Sequence, residues 1–336
     1  YAGWYRRGSH RSSRIRKLHM MDVPEEYGGL GLDHMDQAAI VEQIAWADAG
    51  VAVTLNGNGL ALKPVLLAGN EEQKQKCCDI IINGGFGSFA LTEPNAGSDA
   101  SKALTEAGLD GDHYVLNAGC DAGAGKTTAV REGDEYVLNG RKCFITNASV
   151  ADFFVVTAMT AKDQGTKGIS AFLVYKGTPG LSVGNHENKM GIRCSTTSDV
   201  ILEDVRIPAE NRLGEEGTGF ITAMKTLDLA RTWCAVIGVG VAQRCIDEAV
   251  AYSKQRVQFG KPICKNQAIQ FKIADMEIRT EASRQLIAHS IRLADMGLPF
   301  SKESAAAKCF AGDSVMQTAI DAVQILGGYG YSREYP

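Results

Sequence analysis

Apolar residues recur every three to four positions through residues 33–83, change to short β-rich runs, and return to helical spacing after Pro208. In the first stretch Ala38, Ala39, Val41, Ile44 and Ala45 mark one helix face. Pro64 falls in the early turns of a second helix that runs on through residues 65–67. Gly69-Asn70 stops it, and a third helix resumes at Glu71 with a charged start. These stripes read as core packing. In the middle stretch, residues 153–157, 171–175 and 200–202 are β-branched and aromatic, and Gly, Asn and Asp separate them. Residues 135–140 read as a strand closing on a turn. The last stretch predicts helices over 219–242, 242–258, 267–293 and 302–326, with Gly327-Gly328 ending the last. The pattern predicts an α+β multidomain chain. An N-terminal helical domain spans 1–86, a central β-sandwich or barrel domain 87–207, and a C-terminal four-helix bundle 208–336.

Within the β block, Asp-Gly-Asp-His-Tyr-Val-Leu-Asn at 110–117 recurs 22 positions later as Glu-Gly-Asp-Glu-Tyr-Val-Leu-Asn at 132–139. One repeat, over 98–140, is too few for a solenoid and reads as a local duplication, either a hairpin added to the β block or an artefact of sequencing or of the gene model. Either copy could complete the sheet, and the second runs directly into residues 141–147.

Composition narrows the classes. With 45% hydrophobic and 22% charged residues in 336, the chain is not disordered. Apolar runs such as 235–242 fall far short of the roughly 18 residues a membrane helix needs. A net charge of -4 gives no reason to expect a nucleic-acid partner. Nine scattered Cys without a C-x-x-C argue against a disulfide framework or a zinc site and for a reducing compartment. Residues 1–20 hold Arg6, Arg7, Arg11, Arg14, Arg16 and Lys17 and no acid, which is similar to a mitochondrial transit peptide; a fragment edge fits equally. Gly123-Ala124-Gly125-Lys126-Thr127 looks like the end of a phosphate loop, but position 120 is Cys where that loop needs Gly, and a strand pattern follows instead of a helix.

Several segments in order resemble the acyl-CoA dehydrogenase family. They are Pro24-Glu25-Glu26-Tyr27-Gly28-Gly29, the run from Phe89 through Thr92-Glu93-Pro94 to Gly97-Ser98-Asp99, Phe144-Ile145-Thr146-Asn147, and Lys189-Met190-Gly191-Ile192-Arg193. Val205-Arg206-Ile207-Pro208, Arg256-Val257-Gln258-Phe259-Gly260, Gln267-Ala268-Ile269 and Gln324-Ile325-Leu326-Gly327-Gly328 follow. Each alone has an ordinary reading as a turn, a solvated cation or a helix cap; the ordered set, over residues 20–336, outweighs those readings. The resemblance implies FAD as cofactor. Phe89, Leu91, Thr92, Phe144, Ile145 and Thr146 would serve the flavin ring, and Gly97 and Ser98 the pyrophosphate, where a missing Cβ admits an anion. Arg256, Phe259, Gln267, Gln324, Gly327 and Gly328 would reach the flavin of a neighbouring subunit, which implies a homo-oligomer, a dimer of dimers. Ser98, Asp228 and Arg231 would meet the acyl-CoA substrate; Trp233 on the same helix reads as core.

The implied reaction is α,β-dehydrogenation of a short-chain, butyryl-CoA-like thioester, with electrons passing to an electron-transferring flavoprotein. It implies a bacterial cytoplasm or a mitochondrial matrix. In most members the base that takes the α-proton follows the Gln-Ile-Leu-Gly-Gly segment by some tens of residues, beyond Pro336. In a minority it precedes the arginine matching Arg231, and here that position is Ala230. No catalytic residue is therefore assigned, and a bundle incomplete at its end is expected. An inactive flavin- or acyl-CoA-binding homologue is the alternative.

Overall fold

The structure, a computed structural model, describes residues 18–94, 108–110, 113–115 and 126–335. Three helices open it: α1 (His34–Ala47), α2 (Ala49–Ala68) and α3 (Glu71–Ile82). Asp33 caps α1 by accepting from the Asp36 N–H, and Asn70 with Gln73 forms a capping box on α3. Pro64 lies late in α2, not early, because the helix has already begun at Ala49. Its missing N–H falls near the helix end, and the chain leaves the helix at Gly69. By length and composition α2 is apolar enough to cross a bilayer, unlike the run singled out from the sequence. Its Ala61, Leu62 and Val65 are wholly buried in a core shared with Cys77, Cys78, Ile81 and Phe153. Burial pushes the Cys77 and Cys78 thiols up to about 12.

The strands are β1 (Gly87–Ala90), β2 (Gly108–Asp110), β3 (His113–Val115), β4 (Thr128–Glu132), β5 (Glu135–Thr146), β6 (Phe153–Met159), β7 (Ile169–Tyr175), β8 (Leu181–His186), β9 (Thr197–Pro208) and β10 (Arg212–Leu213). Eight form one mixed sheet in the order β10-β7-β6-β4-β5-β9-β8, with β1 parallel to β6. No turn closes at Gly140. There β5 continues through a register shift at φ 153°, and a Cβ on residue 140 would lie 2.4 Å from Thr127 Oγ1.

The repeat yields two hairpins of matching register. Asp110 pairs with His113 in β2–β3, as Glu132 pairs with Glu135 in β4–β5. It is the second copy that enters the large sheet; β2 and β3 pair only with each other among the described strands.

The chain then forms α4 (Gly219–Gln255), a short hairpin β11 (Val257–Gln258) and β12 (Lys261–Pro262), α5 (Gln267–Asp295) and α6 (Ser301–Leu326). Residues 219–258, expected as two helices, hold a single 37-residue helix to Gln255, because no proline or cap interrupts the ladder. By contacts the chain divides into two compact units, Tyr1–Gly31 with Thr54–Thr226 and Leu32–Val53 with Leu227–Pro336. This partition differs from one drawn at changes of secondary structure, since it assigns α1 to the same unit as the C-terminal helices.

Candidate active site

In the first unit, two of the segments read as flavin-facing are held together by hydrogen bonds. Leu91 and Thr92 follow β1, and the Cys143 N–H on β5 donates to the Thr92 carbonyl at 2.9 Å. Lys142 donates from Nζ to the Leu91 carbonyl at 3.2 Å and to Glu93 Oε1 at 2.7 Å. Beyond Lys142 a second register shift lets Phe144 stand out, at φ 57° and 65% exposed. Thr146 is half-buried, and its carbonyl accepts from Ser88 Oγ at 2.6 Å. Asn147, at φ 63°, is tied to the Thr54 carbonyl at 2.8 Å, against Gly57, where a Cβ would sit 2.5 Å from its amide nitrogen. These ties fix the end of β5 from α2 and β1 together.

Two ring contacts implied by the resemblance are limited by burial. The Ile145 side chain lies in the sheet core, so it has only backbone groups to offer a ligand. Phe89 packs its half-buried ring against the core beneath α2 and α3. Gly97 and Ser98 lie outside the described residues. Of the apparent phosphate loop, Lys126 and Thr127 are among the described residues. The Lys126 and Thr127 N–H groups donate to the Glu93 carboxylate, and β4 begins at Thr128. Burial would raise the Glu93 carboxyl, but the Lys142 ammonium and the N–H donors hold it below its ordinary value.

In the second unit, Arg256 leaves the end of α4 and lines a cavity of about 510 Å³ with Gly327, Gly328, Tyr252 and Tyr329. Gly327, at φ 59°, takes a backbone that a Cβ would strain. Gln324 and Gly327 line a neighbouring apolar groove with Met316, Ile320 and Val323. Phe259, 96% exposed at the β11–β12 tip, and Gln267, exposed at the start of α5, line neither. Asp228 on α4 accepts from both Arg231 and Ser301, the first residue of α6. Trp233 is buried, 6.1 Å from the His34 ring, in keeping with a core role.

Models of the N-terminal, middle and C-terminal domains of acyl-CoA dehydrogenases match residues 5–85, 116–205 and 217–336. The chain belongs to the acyl-CoA dehydrogenase family. A short-chain specific acyl-CoA dehydrogenase of Megasphaera elsdenii is 45% identical over 318 residues, covering 93% of this chain and 77% of that protein. The mitochondrial short-chain specific enzyme of Mus musculus is 45% identical, over 94% of this chain and 72% of that one. The solved butyryl-CoA dehydrogenase of Megasphaera elsdenii superimposes with a TM-score of 0.87 at 42% identity, over 96% of this chain and 81% of that one. A chain in the structure of the electron transferring flavoprotein of Acidaminococcus fermentans matches with a TM-score of 0.87 at 44% identity, over 96% and 80%.

Ser301, Gly57 and Lys142 lie outside the motifs that carry the resemblance, and Asn147 lies inside one without a role of its own. Glu93 shows in the sequence only as a member of one such motif. Its partner lies 49 residues away, and no local spacing reports such a pairing.

Proposed function

We propose that this acyl-CoA dehydrogenase carries out FAD-dependent α,β-dehydrogenation of a short-chain acyl-CoA thioester to the trans-2-enoyl-CoA. The observation that carries the reading is the 45% identity, over 93% of the chain, to a relative named as short-chain specific. That likeness spans helical and β segments alike and does not favour the inactive alternative.

The residues present fit an FAD. The Leu91–Thr92 backbone is rigidly held beside the bulged end of β5, which suits the pyrimidine edge of a ring with Phe144 as its apolar cover. Arg256 opposite Gly327 and Gly328 suits a pyrophosphate, because a planar guanidinium can meet two phosphate oxygens and the glycines admit an anion closely. When bound, FAD supplies the acceptor for the hydride leaving the substrate β-carbon. The chain's own share is to orient that ring through Leu91, Thr92 and Thr146 and to hold Arg231 toward the coenzyme A portion. Arg231 is steadied by Asp228, itself braced by Ser301. No described residue is proposed as the acceptor of the α-proton.

An electron-transferring flavoprotein is the proposed electron acceptor, in line with the similar chain found in such a structure. Arg256, Phe259, Gln267 and Gln324–Gly328 are proposed to serve a neighbouring copy's flavin, which makes the functional unit an oligomer. The named relatives, bacterial and mitochondrial, suit a bacterial cytoplasm or a mitochondrial matrix.

The full-length product purified with FAD is expected to be yellow after desalting, and anaerobic butyryl-CoA is expected to bleach the visible band. A protein that stays colourless sinks the reading. A yellow protein that no acyl-CoA bleaches returns the inactive homologue to the lead. In the same assay Arg256→Ala is expected to weaken FAD binding by roughly tenfold, the loss of one charge-assisted contact.

A further inference from the structure

Glu93 and Lys142 form an ion pair in which the two side chains are 3% and 2% exposed. Two charges so far from water add little stability over apolar groups of the same volume. Their place in the sheet therefore calls for another account, and the hydrogen bonds supply one.

The Lys142 ammonium has three protons and three acceptors: Glu93 Oε1 at 2.7 Å, the Leu91 carbonyl at 3.2 Å and Thr157 Oγ1 at 3.4 Å. Glu93 in turn cannot swing, because the Lys126 and Thr127 N–H groups hold its carboxylate. The Leu91–Thr92 bond is trans, like every described peptide. In a trans peptide the C=O and the N–H point in opposite directions. With the Leu91 carbonyl drawn toward Lys142, the Thr92 N–H is turned away from the pair. The next residue along β5, Cys143, takes the Thr92 carbonyl, and Phe144 to Thr146 follow directly. One side chain thus fixes a peptide plane in one candidate flavin segment from the root of the other.

We propose that Lys142 is a positioning residue. With Glu93 as its anchored counter-charge, it sets the orientation of the Leu91–Thr92 peptide and so the donor offered to the pyrimidine edge of the flavin. The inference rests on the flavin reading above and adds a residue that touches neither flavin nor substrate.

The test replaces the pair together, because removing one partner alone would strand the other charge in the core. The full chain carrying K142M and E93Q is compared with its parent. FAD affinity is read by fluorescence quenching, the bound flavin by its visible absorption and circular dichroism, and the fold by far-ultraviolet dichroism and the thermal midpoint. The expected result is a fold signal and midpoint close to the parent, with FAD held about tenfold more weakly and an altered visible dichroism of the flavin that does bind. A shifted midpoint with unchanged flavin affinity and spectrum would mean a packing role and overturn the proposal. If the double variant does not fold, K142R alone decides, since it keeps both charges in the core and alters only the donor that meets the Leu91 carbonyl. It is expected to give a smaller change in the same direction, and unchanged flavin affinity and spectrum overturn the proposal. A parent that takes up no FAD removes the proposed function itself, an outcome distinct from a parent and variant that bind it alike.

Discussion

Asp22→Asn is expected to raise the thermal midpoint at about pH 8 and to leave it nearly unchanged near pH 4. Part of Asp22 reaches the surface, but its Oδ2 atom is sealed off with no hydrogen-bond partner among the described residues. The carboxyl packs on Gly59, where a Cβ would fall 2.5 Å from it. Burial pushes this carboxyl up from 3.8 to about 7, against the opposing pull of Lys63. The unfolded chain sheds the proton near the lower value and the folded chain near the upper one. Stability therefore falls as pH rises through that window, and the whole loss stands above it. The shift corresponds to at most about 4 kcal/mol, less what Lys63 loses with its counter-charge. His19 lies in the same segment, and burial lowers its imidazole, which tilts stability the other way with pH. The difference between the two melting curves across pH, not either curve alone, isolates Asp22. A difference that does not vary with pH contradicts the assignment.

Gly240→Leu is expected to cost about 3 kcal/mol, by overpacking that no side-chain rotation relieves. A Cβ at residue 240 on α4 would lie 2.4 Å from the Glu42 carbonyl oxygen and 2.7 Å from the Ala45 Cβ, both on α1. Parting the helices would also disturb Glu42, which accepts from Arg284 at 2.9 Å, and Trp46, over which the Arg244 guanidinium stands at 4.7 Å. On an open helix face, exchanging glycine for leucine would instead stabilise by somewhat under 1 kcal/mol. Urea melts give the sign directly: a variant as stable as its parent would show that the two helices are not in close approach.

Helices and hairpins were legible because their signals are local. The stripe from Ala38 to Ala45, the stop at Gly69-Asn70 and the hairpin around residues 132–139 each lie within a short stretch. Two local signals misled. Gly140 marks a bulge inside a long strand rather than a turn, and its need for glycine comes from Thr127, the residue just before β4. Pro64 reads as an early helix position, but Ala49 had already started the turn count. The candidate site was legible as a set of motifs, and its supports were not. Lys142 meets Glu93 only because β5 lies beside the chain that leaves β1, and Ser301 meets Asp228 only through the packing of α6 on α4. Burial likewise could not be read from the order of motifs, so Ile145 looked as available to a ligand as Phe144.

The twin hairpins bear on how this chain can change length. Residues 118–139 could be excised and Asn117 joined to Gly140, and the chain would still read Tyr-Val-Leu-Asn-Gly-Arg-Lys into the rest of β5. Asp110 and His113 already pair as Glu132 and Glu135 do, so the spliced hairpin would enter the sheet in the same register. A gain or loss of 22 residues here would therefore leave Lys142 at the same distance along the strand from a hairpin of the same register.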